Sequence, residues 1–240
     1  MTLLAEMTRD ELAARMAERP IAILPIGATE QHGHHLPLGT DSFLAEEYAR
    51  RIGDRVDGIV LPTVPFGYSW VWKDTPGTVT VGHRTLEAYL GDVVESAERS
   101  GFGMLVIADG HESNVTTMKY VVRDHAARSS FPVLRLFYPK LSEILAEHLE
   151  SETWHGMIHA CEFETSLLLD ARPDLVDMAK AVREYPPFSE EYAYGAEQLG
   201  NVSESGVFGD PTLATAAKGR AMFDALVEES VRIIQKARAR

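Results

Sequence analysis

Potential metal ligands crowd into one short segment of the chain, GATEQHGHHLPLGTD, which runs from Gly27 to Asp41. Glu30 and His32 are separated by one residue, so in an extended segment their side chains point to the same side. Glycines and prolines between His32 and Asp41 let the chain double back and bring Asp41 near them. Carboxylate oxygens together with an imidazole nitrogen suit Zn²⁺, Mn²⁺ or Fe²⁺ better than Ca²⁺ or Mg²⁺. The segment is a candidate metal site, and a polar loop with capping residues is the alternative.

A second polar cluster, ADGHESN, also follows an apolar run of the sequence. His111 is its candidate ligand. Glu112 is a candidate catalytic residue that would accept a hydrogen bond beside the metal. The alternative is that Glu112 is a charge in a first helical turn, where the helix dipole favours it. Asn114 stands where a helix is predicted to begin, and it fits an N-cap as well as a catalytic role.

The third cluster, HACEFETS, contains His159, Glu162 and Glu164. If the segment is helical, His159 and Glu162 share a face; if it is extended, Glu162 and Glu164 do. The pattern therefore leaves open which glutamate faces the site. Cys161 is predicted to be buried rather than nucleophilic, because nothing around it in the sequence would lower its pKa.

Taken together, the three clusters supply enough carboxylates and histidines to hold two divalent ions that share a bridging carboxylate. Two ions about 3.5–4 Å apart can ionise a shared water near neutral pH and polarise a carbonyl oxygen. A free protonated histidine beside them would donate a proton to the leaving nitrogen. This donor set indicates hydrolysis of an amide or a similar bond.

The elements that must position these residues alternate between strand and helix. Continuous apolar runs predict buried strands at 21–28, 58–67, 103–110 and 131–139. Helical spacing is found at 8–19, 42–56, 84–101, 114–129, 161–177 and 213–240. This alternation predicts an α/β fold with a mainly parallel sheet covered on both faces. Ligands of such sheets bind beyond the carboxyl ends of the strands, where the first two clusters begin.

Composition narrows the class of protein and of partner. The 240 residues carry 23 Lys and Arg against 36 Asp and Glu, a net charge of −13. This acidic balance argues against nucleic acid or an anionic membrane as a partner. No apolar run is long enough to span a bilayer, and the first residues lack the apolar core of a signal peptide. The length suits a single domain over residues 1–240, and the single cysteine fits a cytoplasmic protein.

Four motifs carry a resemblance to a known family: GATEQHGHHLPLGTD, GHESN, HACEFETSLLL and GVFGDPTLATAAKG. Their order and spacing, from about Ala22 to Gly219, resemble the creatininase (creatinine amidohydrolase) family. The resemblance implies a three-layer α/β/α sandwich, a two-metal centre and a homo-oligomer, commonly a hexamer. Members of this family hydrolyse C–N bonds of small cyclic amides or formamides, and one branch is a peptidase acting on the mycofactocin precursor.

The resemblance also implies roles for individual residues. The metal ligands that it implies are Glu30, His32, Asp41 and His111. Asp41 would bridge the two ions, and His159 would handle the proton of the leaving group. Creatininase has a further glutamate ligand where this chain has Ser113. Other branches carry a glutamate in the third motif, so Glu162 is expected to be the fifth ligand. Glu164 is expected to lie behind the ligands without coordinating the metal.

The loop before the second motif departs from many relatives, which read EH..FPGT where this chain reads VWKDTPGT. Candidate substrate-binding residues are Ser69, Trp72 and Trp154. The rings of Trp72 and Trp154, together with those of Trp70 and Tyr68, would form an aromatic wall over a flat, apolar or heteroaromatic ligand. The alternative is that the rings pack at a subunit contact. Creatinine is therefore not the expected substrate.

The sequence thus predicts a metal-dependent amidohydrolase that uses two Zn²⁺, Mn²⁺ or Fe²⁺ ions to cleave a non-peptide C–N bond. Its substrate would be a small molecule that carries a cyclic amide, a lactam or a formamide. Two alternatives remain: a peptidase that trims a small modified peptide, and an inactive metal-binding homologue.

Overall fold

A parallel sheet forms the middle layer of the protein in the computed structural model, which describes residues 2–156, 158–192 and 194–239. In these residues the sheet has five strands in the order β1-β3-β2-β4-β5, and every neighbouring pair is parallel. The strands are β1 (Thr2–Leu3), β2 (Ile21–Ile26), β3 (Ile59–Val60), β4 (Met104–Asp109) and β5 (Val133–Phe137). The longest strands, β2 and β4, pair along their whole length at the centre.

Helices cover both faces of the sheet. They are α1 (Arg9–Met16), α2 (Thr40–Val56), α3 (His83–Ser100), α4 (Val115–Ala126), α5 (Leu141–His148), α6 (Glu162–Ala171) and α7 (Ala216–Arg238). One face packs against α1, α3 and α4, and the other against α2, α5, α6 and α7. The predicted three-layer α/β/α fold with a mainly parallel sheet is confirmed.

The central strands are buried along their whole length, which explains their continuous apolar sequence. In β2, Ile21 and Ile23 face the core shared with α2, α6 and α7, whereas Ala22 and Leu24 face the core shared with α3 and α4. Successive side chains of a strand point to opposite faces, and here both faces are covered. Thus every position of the strand requires an apolar residue.

Several element boundaries follow from local chemistry. Thr8 caps α1 in a capping box with Glu11, and Gly101 ends α3 with a φ of 94°. The run 58–67 pairs over only two residues, because Pro62 and Pro65 cannot donate to a strand ladder.

The structure adds β1 and α5, which the sequence pattern did not predict, and α6 ends earlier than predicted. In the described chain, no helix is long and apolar enough to cross a bilayer.

Two glycines bring the strand ends against the first turn of α2. A Cβ at Gly27 would lie 2.5 Å from the backbone carbonyl carbon of Asp41, and one at Gly110 would lie 2.4 Å from the backbone carbonyl oxygen of Asp41. Only glycine permits this approach, since any side chain would collide with backbone. The contact places Asp41 between the ends of β2 and β4.

Candidate metal centre

Buried acidic and histidine side chains meet at the carboxyl end of the sheet, beyond β2 and β4. In the described residues they form three overlapping sets, in each of which the potential ligand atoms lie within 4.8 Å of one another. The sets are Glu30 with Asp41 and His111, His32 with Asp41 and Glu164, and Glu30 with His32 and His159. Asp41 therefore joins the first two sets.

The two oxygens of the Asp41 carboxylate face different histidines. Oδ1 lies 3.0 Å from Nε2 of His32, and Oδ2 lies 2.9 Å from Nδ1 of His111. Burial alone would raise the pKa of Asp41, but the two histidines outweigh it and hold that pKa below its ordinary value. A carboxylate that offers one oxygen to each side can serve two adjacent cation sites.

Both histidines direct one ring nitrogen toward the cluster, because backbone carbonyls engage the other nitrogen. His32 Nδ1 lies 3.2 Å from the carbonyl oxygen of Glu30, and His111 Nε2 lies 3.0 Å from that of Tyr68. An N–H donated to a carbonyl fixes the tautomer of a neutral imidazole and directs the free nitrogen to a metal.

Several atoms of the cluster lack a hydrogen-bond partner within the described chain: Glu30 Oε2, His32 Nε2 and Asp41 Oδ2. Buried polar atoms without a partner are rare, since each costs its full desolvation penalty. Coordination of a cation would satisfy all of them. The mixture of carboxylate and imidazole donors fits a divalent transition metal or zinc.

The charges of the cluster also favour a cation. Burial lowers the pKa of His32, yet Asp41 and Glu164 outweigh it and raise that pKa to about 10. Burial raises the pKa of the Glu164 carboxyl to about 8 and also raises that of Glu30. The enclosed carboxylates thus repel one another and attract whatever positive charge is present.

Glu164 is the glutamate of the third motif that joins the cluster. Its Oε2 lies 3.9 Å from His32 Nε2 and accepts a hydrogen bond of 2.5 Å from the Ala160 N–H. Ala160 has a φ of 48°, a left-handed conformation that is unfavourable for a residue with a side chain. The turn after His159 is therefore held in a strained form that directs an N–H at this carboxylate.

Glu162 lies elsewhere, contrary to the expectation that its carboxylate faces the metal. Its carboxylate accepts hydrogen bonds from the N–H groups of Glu150 and Ser151 and forms an ion pair with Lys218. Because α6 begins at Glu162, residues 162 and 164 are both helical and point about 200° apart. The preceding Cys161 is buried, and burial raises the pKa of its thiol to about 12.

His159 borders the cluster and is held on two sides. Its Nε2 lies 3.0 Å from the backbone oxygen of Gln31 and 2.7 Å from the side-chain nitrogen of Gln31. Its ring stacks on Trp72 with centroids 4.8 Å apart. Nδ1 consequently faces inward, 3.5 Å from Glu30 Oε1. Burial and the nearby charge of His32 lower the pKa of His159 well below its ordinary value.

Gln31 and Asn114 position the site, a role that the sequence did not reveal for either residue. Gln31 also donates to the carbonyl of Gly206, which fixes its side chain. Asn114 occupies an N-cap position, but its side chain does not cap the helix. It instead donates to Gly27 O and Asp109 Oδ1 and accepts from the N–H of Tyr68. A polar residue inside a buried motif was the only signal for either role.

The predicted substrate-binding residues separate in space. Ser69 is fully buried, with its Oγ 3.5 Å from His111 Nε2. Trp72 is almost fully buried and lines a chamber of about 50 Å³ beside the ligands. Trp154 packs against the same aromatic cluster as Trp72, and its Nε1 donates to the carbonyl of Pro186 at 2.6 Å. The expected aromatic wall is therefore mostly packed against protein.

Glu112, the second predicted catalytic residue, lies at the mouth of that chamber. It is exposed, and it belongs to a short 3-10 turn that precedes α4. Burial on one side raises the pKa of its carboxyl, while His111 opposes that effect. Its placement allows it to contact a small molecule that enters the chamber. The four predicted metal ligands, Glu30, His32, Asp41 and His111, lie deeper.

Comparison with known proteins agrees with this arrangement. The family model described as "Creatininase: Creatinine amidohydrolase" matches residues 5–234. The chain belongs to the creatininase family. The family confirms the prediction of a metal-dependent hydrolase that acts on C–N bonds of amides.

Relatives from two branches of the family resemble the chain. It is 28% identical to the creatinine amidohydrolase of Pseudomonas putida, with 93% of this chain and 92% of that protein covered. It is 31% identical to the mycofactocin precursor peptide peptidase of Mycolicibacterium smegmatis, with 87% and 81% covered. A crystal structure of creatininase superposes with a TM-score of 0.86 at 27% identity, covering 98% and 97% of the two chains. Other solved creatininases are described as a Zn-Zn type and as an Mn form.

Proposed function

We propose that this protein is an amidohydrolase with a dinuclear metal centre that cleaves a non-peptide C–N bond of a small molecule. The observation that carries the proposal is the Asp41 carboxylate, which offers one oxygen toward His32 and the other toward His111. A single ion needs only one such oxygen, whereas a carboxylate with one oxygen on each side can bridge two neighbouring ions. Membership of a family of amide hydrolases gives this centre its reaction class.

We assign the ligands from the two sets that share Asp41. Glu30, Asp41 and His111 would hold one ion, and His32, Asp41 and Glu164 the other. Glu164 thus replaces the ligand that is lost at Ser113. Zn²⁺, Mn²⁺ and Fe²⁺ all accept these donors. When bound, such a pair of ions makes a shared water acidic enough to ionise near neutral pH and polarises the carbonyl oxygen.

His159 moves protons at its Nδ1 atom. Gln31 occupies Nε2, so only Nδ1 faces the chamber. Burial and the charge of His32 lower the pKa of this ring, so it would first take up a proton and then return it to the nitrogen of the leaving group, acting as base and acid in turn. Trp72 covers one face of the ring and keeps water from it.

The alternative function is cleavage of a small modified peptide. The likeness to the mycofactocin precursor peptide peptidase supports it, since that relative is 31% identical. An inactive homologue is less well supported, because Glu164 completes a ligand set that Ser113 would otherwise leave short.

Metal content of two matched variants tests the ligand assignment. We expect Glu164→Gln to lose about one ion per chain and Glu162→Gln to retain both, because only Glu164 belongs to the cluster. Elemental analysis after reconstitution with Zn²⁺ or Mn²⁺ gives the stoichiometry. Loss of metal from Glu162→Gln alone would reverse the assignment, and wild-type protein that binds fewer than two ions would contradict the dinuclear centre.

Turnover tests the reaction class. Metal-loaded protein is expected to hydrolyse at least one compound in a panel of lactams, formamides, linear amides and short peptides, and to lose that activity on chelation. Cleavage of the peptides only would favour the alternative function.

We also propose that the chain forms a homo-oligomer, as its family resemblance implies. An apolar groove on the α3 side supports this, since Phe66 and Tyr89 are about half exposed there. Analytical ultracentrifugation that finds only monomer at micromolar concentration would contradict it.

A further inference from the structure

A groove of about 470 Å³ adjoins the metal chamber. The two cavities share Glu112, Phe137 and Ile158 as walls. The chamber itself measures about 50 Å³, which is room for a few water molecules. The groove, in contrast, falls in the size range of small-molecule sites. A substrate whose reacting bond enters the chamber therefore has its remaining atoms in the groove.

The groove has an apolar side and an acidic side. Its apolar lining comprises Phe137, Leu141, Leu145, Leu149 and Ile158. Two carboxylates line the groove: Glu112 at the end that it shares with the chamber, and Glu152 away from that end. The described residues that line the groove include no lysine, arginine or histidine. Such a surface favours an apolar chain with a positive charge and disfavours a negative one.

One wall of the groove is braced by the glutamate that the metal cluster does not use. Glu162 accepts hydrogen bonds from the N–H groups of Glu150 and Ser151, which are part of the wall or adjoin it. Lys218 pairs with Glu150 at 2.7 Å and with Glu162. These contacts, which centre on the buried Glu162 carboxylate, hold the segment after α5 in place, so the groove is formed before a ligand arrives.

We infer that the groove binds the non-reacting part of an elongated amide substrate, an apolar chain that carries an amine. The inference rests on the proposed function and narrows it, because a compact cyclic amide would leave the groove empty. Glu152 recognises the ammonium group, and the side chains of α5 cover the chain. Hydrolysis joins water across the C–N bond and releases a carboxylic acid and an amine or ammonia.

Three linear amides of one length test the charge preference: hexanamide, its ω-amino derivative and its ω-carboxy derivative. Calorimetry measures their binding to Zn²⁺-loaded protein, and released ammonia measures hydrolysis. We expect the ω-amino amide to bind roughly tenfold more tightly than the ω-carboxy amide at low salt, with hexanamide between them, since the Glu152 carboxylate attracts one charged end and repels the other. Equal or reversed affinities would overturn the inference.

Two variants test the location. Ala146 is exposed on α5 and lines the groove, so Ala146→Trp is expected to fill it and weaken binding of all three amides at least about tenfold. Ala14→Trp places the same ring on an exposed position of α1 and is expected to change nothing. Glu152→Lys, also at an exposed position, should remove or reverse the preference for the ω-amino amide.

The outcomes separate the groove from the chemistry. Unchanged binding in Ala146→Trp, or tighter binding of butyrolactam than of any linear amide, would overturn the groove inference while the proposed hydrolysis stands. Failure of every amide to be hydrolysed would overturn the proposed function, and the order of binding affinities would still decide on the groove.

Discussion

Single atoms decide the chemistry of this site. One carboxylate oxygen of Asp41 contacts His32 and the other contacts His111. The second ring nitrogen of each histidine contacts a backbone carbonyl. His159 follows the same rule, since Gln31 engages Nε2 and leaves Nδ1 for proton transfer. Every imidazole of the centre thus has one nitrogen held by protein and one directed at the reaction.

Removal of the Gln31 side chain tests this rule. Gln31→Ala is expected to lower kcat by roughly 10–100-fold at unchanged metal content, because a misoriented His159 ring transfers protons less well. The matched control is Gln235→Ala, which replaces an exposed glutamine on α7 and should leave kcat and metal content unchanged. Steady-state kinetics with elemental analysis makes the comparison. An unchanged kcat would remove Gln31 from the mechanism, and loss of metal would give it a different role.

At the scale of elements, the centre exists because three segments approach one another closely. Gly27 at the end of β2 and Gly110 at the end of β4 contact the backbone of α2 at its first turn. Asn114 ties the same two strand ends together through Gly27 and Asp109. Helix and strands therefore meet with no side chain between them, and Asp41 reaches ligands from both strands.

A pair of glycine variants tests this approach. Gly110→Ala places a methyl group 2.4 Å from the backbone carbonyl oxygen of Asp41. It is therefore expected to destabilise the fold by about 1–3 kcal/mol and to reduce metal content. Gly91→Ala in α3 meets nothing within 4 Å and should stabilise by about 0.5–1 kcal/mol. Thermal unfolding measures both. Equal effects of the two substitutions would show that close contact at α2 is not required.

At the scale of the whole molecule, the cluster joins distant parts of one chain. Its carboxylates come from the segment after β2, from α2 and from α6. Its histidines come from the segments after β2 and β4 and, for His159, from the turn before α6. Without cations these buried carboxylates repel one another. Metal binding is therefore expected to stabilise the packing of α2 and α6 on the carboxyl end of the sheet. We propose that residues 1–240 fold as a single domain around this centre.

Chelation tests this coupling between the metal centre and the fold. Removal of tightly bound metal is expected to lower Tm by about 5–15 °C, since ligand at 100–1,000 times its Kd contributes about 3–4 kcal/mol. Unfolding should remain one cooperative transition with and without metal. Calorimetry of holoenzyme, chelated protein and metal-restored protein checks both statements. An unchanged Tm would contradict the coupling, and two transitions would contradict a single domain.

The sequence by itself determined the fold class and the region of the site. A short, continuous apolar run that contains several isoleucines, such as IAILPI, predicts a strand buried on both faces, and polar residues directly after it are then expected at the carboxyl edge of the sheet. Thr8 and Gly101 likewise mark their helix ends, because capping depends on adjacent residues. These features are local, so neighbouring residues suffice to predict them.

Only the tertiary structure decided which glutamate faces the cluster. The rotation of α6 is set by distant contacts: Gly219 of α7 lets the two helices touch, and Lys218 attracts Glu162 outward. Glu164 then points to His32 on the opposite side of the helix. The hold of Gln31 on His159 and the groove beside α5 likewise join residues far apart in sequence. No spacing along the chain encodes such contacts, because they exist only after the layers have packed.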